Sequence, residues 1–489
     1  MDTPSESTKA DAPDSWTAQM KTNSSSFLGE TSLHGIKHVG DTTRSKFRRC
    51  IWLLLVLGMS VWLSYTLYSL YTRYKSYPYT THSTVIPKAT LPLPGISICL
   101  RHSIQRSRLR QLPNGDVIKA FLEMSDSREE MLNNETVRAA LSGVTMQELM
   151  TVGSFQAEEV IKYAYVFLGA LPTSVIDPSK DFYTVDSFIG VSGLPTRCFT
   201  FNTTSRSEKD GGVSLSQLQH WEVILQSPMT DLIPGDDDIG GLFVSIHPPW
   251  ESPSSIQAIN IQPSSVVDIM LTPSEYHFLP APYLSMDNKD CEDTNSPDYV
   301  SHMRYLSRYS YGNCVMEKSV FAAVEVCNCT SRSLGNLEVP FCSLLQYYQC
   351  YMFASGLKIL PLLKECKMPC VVERMETKSA SVSPFPSQNF IRSLPQEELN
   401  GTNLENWLRV NVKFANTYLG IIKHKPELTF DSIYSIVGGQ MGLFLGASLL
   451  TVTELAEHFL CLMWASLKGL LGNKNHRARS SVASTRLSK

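Results

Sequence analysis

The sequence lacks the motifs that mark the commonest enzymes. It contains no G-x-S-x-G nucleophile elbow, no H-E-x-x-H metal helix and no phosphate-binding P-loop. It also lacks a basic excess: a net charge of −3 and a pI near 6.4 argue against a nucleic-acid partner, which would select a positive surface. Charge is absent altogether from Cys50 to Tyr71, 22 residues reading CIWLLLVLGMSVWLSYTLYSLY. A helix of that length crosses a hydrocarbon core of roughly 30 Å. The run begins far from the N-terminus and no small-residue cleavage site follows it, so it reads as a span and not a signal peptide.

Arg44, Lys46, Arg48 and Arg49 precede this span, and the positive-inside rule then puts residues 1–49 in the cytoplasm. A second apolar stretch, residues 436–467, contains GGQMGLFLGASLLTV, then Glu454, Glu457 and His458, then FLCLMWASL. The basic tail after it, residues 468–489, also points inward. Two spans, 50–71 and 436–467, with both ends inside leave residues 72–435 outside.

Cysteine usage agrees with that topology. Of twelve cysteines only Cys50 and Cys461 fall at the spans; the other ten lie between them. An even number in an oxidising compartment implies five disulfides. Cys327-x-Cys329 and Cys366-xxx-Cys370 have no histidine at zinc-finger spacing, so neither a metal nor a cofactor is expected. Glycosylation acceptors of the form N-x-S/T occur at Asn134, Asn202, Asn328 and Asn400.

Between the spans the pattern is mixed α+β, with no internal repeat. Residues 1–30, rich in Ser, Thr and Asp, read as a disordered tail. LPGISICL (93–100), Cys198–Phe201, Gly241–His247, Ile256–Leu271, Leu408–Phe414 and Tyr418–Lys425 suit strands. Helical patterns cover Val117–Met124, Thr145–Phe155, Tyr311–Val326, Pro340–Cys366, Phe390–Leu399 and Leu404–Trp407.

The second span carries the chemistry. Gly438, Gly442 and Gly446 recur every four residues, a small-residue stripe that allows close helix approach; packing of two helices within one chain is the plainer explanation. Gly446-Ala447-Ser448 followed by Glu454 and Glu457 is harder to explain that way. Intramembrane carboxylates are costly and face water, a partner or an ion path. A ring of backbone carbonyls and hydroxyls with acidic residues beyond it attracts and partly dehydrates small cations. One helix cannot make a ring, so this reading requires an oligomer.

His34-Gly35 before the first span, LPGISIC after it, Cys198-Phe-Thr-Phe-Asn202, Cys327-Asn-Cys329, Met368-Pro-Cys370 and GGQMGLFLGAS together resemble the degenerin/epithelial sodium channel/acid-sensing channel family. The resemblance covers about residues 30–465. It implies a membrane protein with two transmembrane helices flanking a large disulfide-rich α+β ectodomain of the clenched-hand type. It implies a homo- or heterotrimeric pore in the plasma membrane that prefers sodium ions and is blocked by amiloride. Gly446, Ala447 and Ser448 match the family's selectivity filter, with Glu454 and Glu457 as acidic pore residues. His34 and Gly35 match its gating motif, and Ser435 the position where bulky side chains hold such channels open. Tyr77 and Tyr283 match the aromatic wrist coupling. The implied disulfides are Cys99–Cys198, Cys291–Cys370, Cys314–Cys366, Cys327–Cys350 and Cys329–Cys342. Two further bridges of the acid-sensing pattern are missing, and at one of them Lys318 and Lys364 stand in both places.

The stimulus is less defined. Asp236-Asp237-Asp238 sits where acid-sensing members place one half of an acidic pocket, but the opposing segment Tyr351–Leu363 holds no carboxylate. Position 79, a histidine in those members, is Tyr79. A peptide or other extracellular ligand, or constitutive opening, is therefore expected ahead of proton gating. A membrane-anchored adhesion receptor would not need Glu454 and Glu457 in a glycine-rich span. A purinergic ATP-gated channel would show an ectodomain lysine cluster for phosphate and no Gly-Ala-Ser triplet.

Overall fold

A computed structural model of the chain describes residues 31–41, 43–124, 127–189, 194–201, 214–227, 230–233, 241–253, 258–284, 289–306, 308–334, 337–357, 364–384 and 406–464. It forms two compact units, Met1–Tyr79 with Pro426–Lys489, and Thr80–Lys425. After a short helical segment at Ile36–Gly40 come helix α1 (Lys46–Lys75) and strands β1 (Tyr79–Pro87), β2 (Leu91–Pro92) and β3 (Gly95–Leu100). Helices α2 (Gly115–Glu123), α3 (Glu135–Ser142) and α4 (Met146–Gly153) follow. Next come β4 (Ile161–Leu168), β5 (Leu171–Ile176), β6 (Phe182–Ile189), β7 (Pro195–Phe201), β8 (Ser214–Leu215) and β9 (Gln219–Gln226). After them lie β10 (Leu242–His247), β11 (Ile259–Ile261), β12 (Ser265–His277) and helix α5 (Tyr311–Cys327). The chain returns through β13 (Val371–Pro384), β14 (Trp407–Phe414) and β15 (Tyr418–Pro426) to α6 (Phe430–Leu445) and α7 (Leu449–Trp464).

In the first unit, the 30 residues of α1 span about 45 Å at 1.5 Å per residue. Most of its apolar side chains are exposed, Leu54 at 64% and Val61 at 69%, which suits lipid and not water. Among the described residues it is the one helix long and apolar enough to cross a membrane alone. The continuous second helix expected over 436–467 is not what forms. The helix begins at Phe430, stops after Leu445 and resumes at Leu449, bent by 74°. Residues beyond 464, with the basic tail, lie outside the described residues.

The second unit is built on two sheets. The larger has eight strands in the order β1-β15-β12-β14-β9-β4-β5, with β13 also on β12. Strand β12 runs parallel to β14 and β15 and antiparallel to β13. The smaller, β11-β10-β3-β7-β6, is antiparallel throughout. Period-2 alternation decides which side chains lie between them. In β14, Leu408, Val410, Val412 and Phe414 are buried, while Arg409 and Lys413 are only half-buried. They share one core with Val267, Ile269 and Leu271 of β12, Trp221 of β9, and Ile96, Ile98, Phe199 and Phe201 of the smaller sheet. Each such side chain contributes about 1.5–3 kcal/mol on burial. The α+β reading therefore stands, with more sheet than it foresaw.

A second core gathers the helices around Phe121, Leu141, Leu149 and Tyr347. Helix α4 starts where Thr145 accepts from the Glu148 N–H and Glu148 answers to the Thr145 N–H, a capping box. The five disulfides are Cys99–Cys198, Cys291–Cys370, Cys314–Cys366, Cys327–Cys350 and Cys329–Cys342, the pairs named above. In a chain-entropy account each contributes about 3–5 kcal/mol. The Lys318 ammonium pairs with Glu365 at 2.5 Å. Asn134 caps α3 by accepting from the Thr136 N–H, and Asn328 ends α5 at φ 53°; both are exposed. Asn202, Asn400, Asp236-Asp237-Asp238 and the helical pattern at Phe390–Leu399 lie outside the described residues. Trp407, expected to end a helix, opens β14 instead.

Candidate functional site at the helix break

Helix α6 begins with Thr429, whose hydroxyl accepts from the Ser432 N–H. It ends because Gly446 takes φ 60°, the left-handed conformation that costs an L side chain about 1–2 kcal/mol. The Gly446 N–H returns to the Gly442 carbonyl (2.9 Å) and the Ala447 N–H to the Met441 carbonyl (3.2 Å). Helix α7 restarts on Ser448. Its N–H donates to Thr451 Oγ1 (3.1 Å) and its hydroxyl accepts from the Thr451 N–H (3.4 Å), a reciprocal cap. The Gly446-Ala447-Ser448 triplet is thus a stretch of non-helical backbone between two helices. In a bilayer such backbone is tolerated only where it is covered by protein or lines an aqueous path.

The segment before α1 docks on this break. The His34 N–H donates to the Leu445 carbonyl (3.1 Å), the carbonyl just before the triplet. The His34 imidazole covers Gly446 so closely that a Cβ there would fall 2.0 Å from Nδ1. Gly35, at φ 88°, lets the chain turn away; a Cβ on it would meet Val56 of α1 at 2.8 Å. Beyond the turn, His38 packs on Trp52 (centroids 4.6 Å), and Arg49 Nε donates to the Val39 carbonyl (2.8 Å). Two residues ahead of His34, the Ser32 hydroxyl lies 2.7 Å from Thr451 Oγ1 and 3.0 Å from Glu454 Oε2. The Ser32 N–H also donates to that oxygen (3.3 Å). Thr31, Leu33, Ala447 and Thr451 are buried in the contact.

The structure brings together His34, Gly35, Gly446, Ala447, Ser448 and Glu454. Glu457 stands exposed one turn beyond Glu454. A Cβ on Gly438 would meet nothing within 4 Å, so packing within one chain does not account for that end of the glycine stripe. Ser435, which the sequence reading left one residue ahead of the second span, falls within the helix that begins at Phe430. It is exposed, with its hydroxyl returned to the Asp431 carbonyl (2.8 Å). The strand-to-helix connection is at Pro426–Thr429. There the Glu427 N–H donates to the Pro78 carbonyl (3.0 Å), and the Arg73 guanidinium pairs with the Glu427 carboxylate. Next to it Tyr77 holds φ 48°, its ring 6.2 Å from that of Tyr74. Tyr283, half-buried in the second unit, closes a turn onto the Pro280 carbonyl (3.1 Å). Sequence reasoning missed Ser32, Thr451, Arg73 and Glu427. Only the Ser448-x-x-Thr451 spacing, a capping pattern inside an apolar run, could have flagged the restart.

Among the described residues no group of three or more His, Cys, Asp or Glu could hold a metal ion. At the break the described residues offer an interrupted, partly buried backbone with a carboxylate beside it.

Comparison with known proteins agrees with this picture. Acid-sensing ion channel 1A of Danio rerio is 24% identical over 457 residues, covering 88% of this chain and 86% of that one. The bile acid-sensitive ion channel of Mus musculus is 25% identical over 464 residues, 88% and 86%. Acid-sensing ion channel 2 of Rattus norvegicus is 23% identical over 496 residues, 92% and 88%. Among solved structures, a proton-activated chloride channel aligns over 86% of this chain and 96% of its own at 8% identity, with a TM-score of 0.31, too slight a likeness to argue from. The family described as amiloride-sensitive sodium channel matches residues 27–458, most of the chain. The chain belongs to the amiloride-sensitive sodium channel family, whose members are ion channels and not enzymes.

Proposed function

We propose that this chain is one subunit of a trimeric, sodium-selective, amiloride-blocked channel of the plasma membrane. In this reading α1 and the bent pair α6–α7 are the two spans, and both termini are cytoplasmic. The unit Thr80–Lys425 lies outside, receives the stimulus and passes it through the connections at Tyr77–Tyr79 and Pro426–Thr429.

The observation that carries the reading is the break at Gly446-Ala447-Ser448, where the span bends by 74° and the backbone leaves the helical pattern, so that the Gly446 and Ala447 carbonyls would face a permeating ion. Three such breaks around an axis would form the ring that one chain cannot. Glu454 and Glu457 would then stand beyond it as a cation-attracting exit.

For the stimulus, an extracellular ligand or constitutive opening fits better than protons. The described part of the opposing segment, Tyr351–Leu357, carries no carboxylate to crowd against an acidic partner. The names of the relatives make bile acids and protons the first molecules to screen, with peptides beside them.

The test is expression in oocytes with Ser435→Phe. Ser435 is exposed, with its hydroxyl bonded to the Asp431 carbonyl of its own helix, so in this reading the added bulk would act between subunits. The expected result is a standing, amiloride-sensitive sodium current. A mutant that reaches the surface and passes none overturns the proposal.

A further inference from the structure

Two side chains link the helix break to the carboxylate beyond it, and one of them comes from outside the helix pair. The Ser448 N–H donates to Thr451 Oγ1 (3.1 Å), Thr451 and Ser32 share a hydrogen bond (2.7 Å), and the Ser32 hydroxyl reaches Glu454 Oε2 (3.0 Å). A hydroxyl carries one proton. Because Ser32 gives its proton to the carboxylate, Thr451 must be the donor between the two. The bonds therefore run in one direction, from the triplet through Thr451 and Ser32 to the charge, the arrangement in which each bond strengthens the next. Thr451 is 1% exposed, so its hydroxyl has no water to turn to.

The Ser32 N–H donates to the same oxygen (3.3 Å). Both bonds fall on Oε2, and among the described residues Oε1 accepts none. The carboxylate is thus held by one oxygen. A glutamate side chain has three rotatable bonds and, unheld, would spread its charge over several positions.

We propose that Ser32 is a positioning residue for the ion pathway: it fixes where the Glu454 charge stands and ties that position to the conformation of Gly446-Ala447-Ser448. The proposal rests on the channel reading given above. Its consequence is that ion discrimination depends on a hydroxyl in the segment before the first span. Any movement of that segment relative to α7 would release the carboxylate and loosen the Ser448 cap together.

The experiment uses the full chain in the Ser435→Phe background, reading the sodium-to-potassium permeability ratio from reversal potentials, with surface protein measured in parallel. Ser32→Ala is expected to lower the ratio by about threefold or more, the scale of one lost hydrogen bond. Ser32→Thr keeps the hydroxyl and should keep the ratio. Thr451→Val should match Ser32→Ala, and the double mutant should be no worse than either single, as expected of one network. An unchanged ratio in Ser32→Ala overturns the proposal. So does a loss in Ser32→Thr equal to that in Ser32→Ala, which would assign the effect to packing. A second arm needs no current: Ser32→Cys with Thr451→Cys, in a chain with Cys50 and Cys461 changed to serine, should cross-link on mild oxidation of membranes. Absence of the cross-link overturns the contact and the proposal. A cross-link in a chain whose Ser435→Phe background passes no current overturns the channel reading instead, and the pathway role with it.

Discussion

The imidazole of His34 lies on the α-carbon of Gly446, its Nδ1 only 2.0 Å from where a Cβ would start. One residue before the first span thus dictates that the first residue of the triplet has no side chain. Gly446→Ala has to move that ring and also hold alanine at φ 60°. The expected outcome is a protein that reaches the surface with little or no current. His34→Ala frees the space, so adding it to Gly446→Ala should recover part of the current. The double-mutant coupling should be about 0.5–3 kcal/mol, as for residues in contact. Strict additivity in conductance measurements would refute the contact.

Arg73 and Glu427 join the C-terminal end of α1 to the residue three before α6. For stability such an exposed pair is worth only about 0.2–1 kcal/mol. For gating the same energy matters more, since about 1 kcal/mol shifts a two-state equilibrium roughly fivefold. Arg73→Glu should change open probability by up to about that factor. Exchanging the charges with Glu427→Arg should restore it, and the effect should shrink in high salt. Single-channel recording decides this; a swap that fails to restore gating removes the pair from the mechanism.

How much of this was legible beforehand differs by element. The first span was readable because 22 residues pass without a charge, a signal that needs no context. Strand β14 was readable because Leu408, Val410 and Val412 alternate with polar residues. The sheet order was not. That β12 runs parallel to β14 but antiparallel to β13 is decided by pairings between segments far apart in sequence. The helix break was hidden for a related reason. Gly446-Ala447-Ser448 carries no charge and no proline to mark a break, and the residue packed against Gly446, His34, is over 400 positions away. Ser32 left no trace at all, being one serine in a polar tail.

If the unit Thr80–Lys425 faces outward, Asn134 and Asn328 should carry glycans, since both are exposed in N-x-T sequons. Asn134→Gln and Asn328→Gln should each remove one glycosidase-sensitive step in gel mobility. Asn134→Gln should also cost about 1 kcal/mol through the lost α3 cap. A chain that shows no shift at either site would contradict the proposed topology.

His247 predicts an acid limit for the folded ectodomain. Its ring is buried; Nδ1 lies 2.8 Å from the Pro248 carbonyl and Nε2 2.7 Å from the Ser97 hydroxyl, which in turn meets Thr200 at 2.7 Å. The first contact requires Nδ1 to donate; Nε2 meets a neutral hydroxyl, and among the described residues no carboxylate contact with the ring offsets the cost of burying its charge. Burial holds its pKa below the ordinary 6.5. The folded state therefore binds fewer protons than the unfolded one. The stability this contributes is complete above about pH 6.5 and is lost as pH falls through the folded value. Thermal unfolding of the purified full chain should weaken between pH 7.5 and 5, and His247→Gln should flatten that part of the profile. An unchanged profile in the mutant would assign the acid sensitivity elsewhere.

Glu317 sets the most demanding test of the helical core. It is 5% exposed on α5, and its carboxylate accepts the backbone N–H groups of Arg304 (2.8 Å), Tyr305 (3.2 Å) and Leu306 (3.2 Å). Three successive donors around one anion form a concavity that only a negative acceptor fills well. Glu317→Gln keeps the size but must turn an N–H₂ toward those donors, and should cost about 1–3 kcal/mol. Glu317→Ala leaves all three donors buried without an acceptor and should cost about 3–5 kcal/mol, the range for removing one partner of a buried charged contact. Each kilocalorie should appear as a lower melting temperature in detergent and, in cells, as less protein at the surface. The ordering matters more than the size: if glutamine were as damaging as alanine, side-chain volume and not acceptor charge would hold residues 304–306 against α5.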